Sequence, residues 1–122
     1  LDSERPEIAG VFVRRLNKRM RLQTDPTVIY GIGPAFDGNL RRRDLNTDTP
    51  YNTYTRHGLT PTQICLPGRE SLTAAADPAP GTSLFFVATG DPDGSHYFSD
   101  TLEEHNAAVA RYLKKLKSGA NR

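Results

Sequence analysis

Few side chains in this chain could break a bond at neutral pH. The histidines are His57, His96 and His105, and none has a second His, a Cys or a carboxylate at a ligand spacing such as H-E-x-x-H. Each is therefore expected to be structural. Cys65, the single cysteine, precedes Leu66-Pro67-Gly68 and has no basic neighbour to lower its thiol pKa, so it reads as structural or incidental. Gly31-Ile32-Gly33-Pro34 lacks the strand-then-helix setting and the third glycine of a dinucleotide fingerprint. Glycosidic cleavage by paired carboxylates would draw on Glu4, Glu7, Asp25 and Asp44. Asp25, before Pro26, reads as a helix cap, and Glu4 and Glu7 fall in a first helical turn, where acids suit the helix dipole. No pair stands out.

The amides and phenols are more suggestive. Gln23-Thr24 lies on a bend, and Tyr51-Asn52-Thr53-Tyr54 lies in a long loop. Such groups hydrogen-bond sugar hydroxyls and acetamido groups, and a tyrosine ring stacks on a sugar face. The same residues also fit a plain structural role, with Tyr51 and Tyr54 as partly buried rings and Asn52 shaping a turn. Residue types alone support both.

The elements around these residues read as follows. Ile8, Val11, Phe12 and Leu16 recur at helical spacing, which predicts a helix over Glu4–Asn17 with Ser3 as its cap and Pro6 in its first turn. Gly10 inside that helix marks a close approach by another helix. Asp25-Pro26 starts a short helix that Gly33-Pro34 stops. A turn of helix fits Leu40–Leu45, and Pro50–Gly68 is a loop of a length that is often functional. An Ala-rich helix over Ser71–Ala76 ends at Asp77-Pro78. Ser83–Ala88 and Ser95–Ser99 form a hairpin about the loop GDPDG. Thr101 and Glu104 fit a capping box opening a helix to about Lys117, with Leu102, Val109, Tyr112, Leu113 and Leu116 as its apolar stripe. The fold class is α+β, helices dominant, with one small hairpin and a C-terminal helix.

The length of 122 residues fits one domain, and 36% hydrophobic with 25% charged residues fits a folded one. A net charge of +2 does not argue for nucleic acid, but its distribution is uneven. Leu1–Arg43 holds nine Lys/Arg against five Asp/Glu, and the remainder seven against nine. Arg14, Arg15, Lys18, Arg19 and Arg21 form a basic cluster, read either as an anion-attracting patch or as a solvated helix face. Nucleic-acid binding lacks the interleaved aromatics it would need. No apolar run reaches the length of a membrane span. The chain opens on Leu1 and enters a helical pattern almost at once, so it reads as a piece of a longer protein whose targeting segment would lie upstream.

Taken in order, RMRLQTDPTVIYGIG, PYNTYTRHGLTPTQICLPG, SLTAAADPA, LFFVATGDPDGSHYFSDTLEEHN and YLKKLKSG resemble the C-terminal catalytic domain of the MltG (YceG-like) endolytic murein transglycosylases. The resemblance covers residues 1–122. It implies a lysozyme-like helical core and cleavage of MurNAc–GlcNAc bonds in nascent peptidoglycan strands, leaving 1,6-anhydro-MurNAc ends and terminating strand growth. It implies Gln23, Thr24, Tyr51, Asn52 and Tyr54 as substrate-binding residues. The catalytic Glu of the family would lie upstream of Leu1, in an E-K-E-T stretch, and Glu4 matches a different family position. No cofactor or metal is implied. The implied partners are glycan strands and peptidoglycan synthases, not nucleic acid. The implied location is the extracytoplasmic side of the cytoplasmic membrane, through one upstream anchor followed by a LysM-like region. Two departures are a more basic RRLNKRM and Thr60-Pro61 in place of a Pro-Pro. The alternative is a non-catalytic module that binds peptidoglycan or a partner through the same cleft.

Overall fold

The computed structural model describes residues 1–120. Its elements are α1 (Arg5–Asn17), α2 (Asp25–Ile32), α3 (Arg42–Asn46), α4 (Arg69–Ala76), β1 (Phe85–Ala88), β2 (His96–Ser99) and α5 (Leu102–Ala120). Among the described residues this is the mixed α+β class that the sequence indicates. The chain forms two compact units, Arg15–Pro67 and Leu1–Arg14 together with the chain from Gly68 onward.

In the unit holding the hairpin, β1 and β2 pair antiparallel with Phe86 opposite Phe98 and Val87 opposite Tyr97. Side chains alternate across a strand. Phe86, Phe98 and His96 therefore share one face, where Phe12 of α1 meets Phe86 edge to face at 5.7 Å. Phe85 and Tyr97 share the other, where His105 of α5 stacks on Phe85 at 5.1 Å and the Arg111 guanidinium lies 4.7 Å over the Tyr97 ring. With both faces in contact, the strand has no need of polar alternation, which explains the unbroken run FFVA. The Thr89 N–H donates to the Ser95 carbonyl at 3.0 Å, which closes the five-residue loop expected from GDPDG.

Several local expectations are corrected. Ser3 caps nothing: it lies inside a 3-10 turn, Asp2–Glu4, that runs straight into α1. The neighbour of Gly10 is a loop, not a helix. The Ala79 N–H donates to the Pro6 carbonyl at 2.9 Å, and a Cβ on Gly10 would stand 2.5 Å from the Ala79 carbonyl oxygen. Arg14 is no solvated surface residue either, for its guanidinium donates to the carbonyls of Ser83 at 2.7 Å and Ala79 at 3.2 Å. Along α5 the inward stripe is His105, Ala108, Val109 and Tyr112, whereas Leu102, Leu113 and Leu116 are half exposed or more. Small Ala108, fully buried, lets the helix lie close to the sheet, a role that a search for large apolar residues overlooks. Thr101 does cap α5, accepting the Glu104 N–H at 3.2 Å; Glu104 reaches back to the Thr101 hydroxyl.

Candidate functional site

The residues singled out for sugar recognition all fall in the Arg15–Pro67 unit. Its buried set is mostly polar: Arg15, Thr27, Asn52 and Thr53 beside Val28. Hydrogen bonds rather than apolar contacts must therefore define it. α1 ends in a Schellman turn, with the Met20 N–H on the Arg15 carbonyl at 2.8 Å and the Arg19 N–H on that of Leu16 at 3.1 Å. The chain then bends through Gln23 into α2.

Gln23 has φ +54, a left-handed conformation that side-chain-bearing residues rarely hold. Two contacts over-determine it. Its N–H donates to the Thr53 carbonyl at 3.2 Å, and its Oε1 accepts from Arg15 Nη1 at 3.4 Å. The same Arg15 nitrogen donates to the Arg21 carbonyl at 2.8 Å, so one buried guanidinium braces the bend at two points. Burial lowers the Arg15 pKa, with the nearby Tyr54 partly offsetting it, and the group remains a cation because arginine starts so high. The Gln23 side chain is exposed, and its Nε2 group has no partner among the described residues.

Thr24, Thr27 and Thr53 join the bend to the long loop. The Thr24 N–H donates to Thr53 Oγ1 at 2.9 Å, and Thr53 and Thr27 share a hydroxyl bond of 2.7 Å. Thr24 Oγ1 lies 3.3 Å from Thr27 Oγ1. Thr24, not Asp25, occupies the cap position of α2 and makes no side-chain cap bond; Asp25 is the first helical residue. The Asp25 carboxylate instead accepts the Tyr54 hydroxyl at 2.6 Å. Burial, then that hydrogen bond and the Asp25 charge, push the Tyr54 pKa far up, so the phenol stays protonated, its hydrogen held by Asp25, and cannot serve as a base.

Asn52 is 1% exposed. Its Nδ2 donates to the carbonyls of Leu45 at 3.0 Å and Thr47 at 2.7 Å, and its Oδ1 accepts the Tyr54 N–H at 2.8 Å. An amide so engaged has nothing left for a ligand; it anchors the loop and aims Tyr54. Tyr51 is half-buried, tilted against Tyr30 at 4.8 Å, with its hydroxyl 2.8 Å from Thr62 Oγ1. The structure thus brings Gln23, Thr24 and Tyr54 together with Arg15, Asp25, Thr27 and Thr53. Sequence reasoning passed over Arg15 as a bridging group, although it lies one turn after the buried Val11.

A general acid for glycosidic cleavage needs a carboxyl group with a raised pKa. Glu4, Asp37, Asp48 and Asp93 are all displaced downward instead. At Glu4 burial pulls upward, but hydrogen bonds from the His96 ring and N–H, each 3.0 Å, outweigh it and hold the group as an anion. The arrangement can orient a polar ligand and donate hydrogen bonds; a matching proton donor is not among these four carboxylates.

A model of the YceG-like family matches residues 1–111. The chain belongs to the YceG-like family. Among curated YceG-like relatives, the endolytic murein transglycosylase of Bacillus subtilis strain 168 is 45% identical over 111 residues, which is 91% of this chain and 30% of the relative. That of Streptococcus pneumoniae is 31% identical over 114 residues, 90% of this chain and 20% of the relative. The crystal structure of a YceG-like protein from Listeria monocytogenes superposes with a TM-score of 0.77 at 47% identity, covering 84% of this chain and 33% of that one. The chain therefore spans about a third or less of these YceG-like proteins. Among its described residues no helix is long and apolar enough to cross a membrane, and no group of three His, Cys, Asp or Glu could hold a metal ion.

Proposed function

We propose that this chain is the substrate-positioning part of an endolytic murein transglycosylase. One observation carries the reading: exposed Gln23, held in a left-handed conformation by Thr53 and buried Arg15, stands at a bend with an amide nitrogen that has no partner among the described residues. Strain of this kind persists where surrounding structure maintains it, and it concentrates at functional sites. The names of the B. subtilis and S. pneumoniae relatives supply the substrate class.

In this reading the acid is a Glu in a segment preceding Leu1. Protonated, it gives its proton to the glycosidic oxygen between MurNAc and GlcNAc as the C1–O bond breaks. The resulting carboxylate takes the proton of the muramic C6 hydroxyl, whose oxygen attacks C1 and closes the 1,6-anhydro ring. No water is consumed and the carboxyl group is regenerated, so a second carboxylate is unnecessary. Gln23 Nε2 donates to the sugar, Tyr54, its O–H committed to Asp25, offers a fixed neutral oxygen that accepts a sugar hydroxyl, and Thr24 lines the bend. Asn52 positions Tyr54 without touching substrate, and Tyr51 supports the loop. The extracytoplasmic face of the cytoplasmic membrane, a single upstream anchor and contact with peptidoglycan synthases belong to the same proposal.

The test is steady-state cleavage of purified glycan strands by the full-length protein and its Gln23→Ala variant. We expect kcat to fall about tenfold or more with unchanged thermal stability. A fall in activity matched by loss of folded protein would remove Gln23 from the site.

A further inference from the structure

Arg19, at the C-terminal turn of α1, has φ +58. The position that follows a Schellman cap is usually glycine, because a side chain is strained there. Here a long cationic residue occupies it. Its side chain, with Leu16, Met20, His57 and Gly58, lines a cleft of about 400 Å³. That is large enough for a small ligand. Neither Arg19 nor His57 has a side-chain partner among the described residues. Leu16 and Met20 supply apolar wall.

The cleft is formed by the same two segments that build the candidate site. Gln23 and Thr53 are bonded backbone to backbone, and the cleft follows on from them, at 16–20 on one segment and 57–58 on the other. The surrounding charge is one-sided. The Arg15–Pro67 unit holds eight Lys/Arg against four Asp/Glu. Its acids are committed: Asp25 to Tyr54, Asp37 to Arg41, Asp48 to Arg56, and Asp44 to the Arg41 N–H at the start of α3. Positive potential beside a sugar-recognising bend favours a strand that carries anions.

In murein each muramic sugar bears, through a lactyl group, a short peptide arm with alanine methyls and free carboxylates. We propose that the cleft is a subsite for this acidic arm, with Arg19 holding a carboxylate, His57 assisting, and Leu16 and Met20 against the methyl groups. The proposal rests on the murein reading above.

Two measurements on the full-length protein test it. The first is kinetic: strands bearing peptide arms against the same strands stripped of them by an amidase. Arg19→Gly suits this test, because glycine is at home at that φ and the turn should keep its shape. We expect it to raise KM about tenfold on arm-bearing strands and to leave stripped strands unaffected, with Arg19→Lys recovering most of the loss. An equal effect on both strands, or none, overturns the subsite. The second is calorimetric titration with N-acetyl-alanyl-glutamate and its diamide. Binding that weakens about fivefold or more on amidation, and likewise in Arg19→Gly, supports a carboxylate subsite. Equal binding of the two peptides, or no binding, overturns it. Failure to cut either strand, with the titration as expected, would retire the murein reading and keep the acidic-ligand subsite.

Discussion

Asn52 donates both amide hydrogens to the carbonyls of Leu45 in α3 and Thr47 just after it and receives the Tyr54 N–H, all within a site closed to solvent. Truncation would leave those groups without partners, so Asn52→Ala should cost about 2–4 kcal/mol in urea unfolding. Asn52→Asp should not rescue it, since a carboxylate would face two carbonyl oxygens. A loss below about 0.5 kcal/mol would contradict the anchoring role. Gln23 should behave in the opposite way. Its side chain gives the fold only a long contact to Arg15, while its backbone is strained. Gln23→Gly should raise stability by up to about 1 kcal/mol. A stability loss would mean that the side chain serves the fold. Residue types identified both positions from the sequence. They could not separate a buried amide from an exposed one, because burial of Asn52 depends on α3 carbonyls that are five to eight residues away and in no recognisable motif.

At the scale of elements, α1 is legible from its apolar spacing and the hairpin from its turn residues, because both signals are local. The packing is less so. Gly10 reads as a weak point in a helix, yet it is where the Ala79 carbonyl comes close. A methyl there meets backbone rather than a yielding side-chain tip, so Gly10→Ala should destabilise by about 1–3 kcal/mol despite its better helix propensity. Thermal unfolding would decide; a gain in stability would show that the loop gives way freely. α5 carries the same lesson. Val109 and Tyr112 of the expected stripe do face inward, but its three leucines do not, and His105 and Ala108 take their place. Which face of an amphipathic helix meets a sheet depends on partners distant in sequence.

For the molecule as a whole, the pair of Glu4 with the His96 ring and N–H links the first turn of the chain to β2. The folded-state pKa of Glu4 lies below its unfolded value, so the pair contributes stability above the ordinary carboxylate range, and that contribution disappears as pH falls through the folded value. The stability gap between the wild-type chain and Glu4→Gln should therefore be widest above about pH 5 and narrow toward about pH 3. A gap independent of pH would contradict an ionised Glu4. The charge asymmetry was visible in the sequence, but its use was not: Arg14 and Arg15 serve carbonyls inside the fold, and of the basic cluster only Lys18, Arg19 and Arg21 stay exposed.

The central claim is that this chain positions a murein strand for a proton donor lying outside it. The most direct measurement is mass spectrometry of purified glycan strands after incubation with the full-length protein, with the 122-residue chain as control. The account predicts 1,6-anhydromuramic ends from the full-length protein and none from the chain alone. Reducing ends would contradict it and would require a second carboxylate, and cleavage by the isolated chain would contradict it by placing the proton donor within the 122 residues.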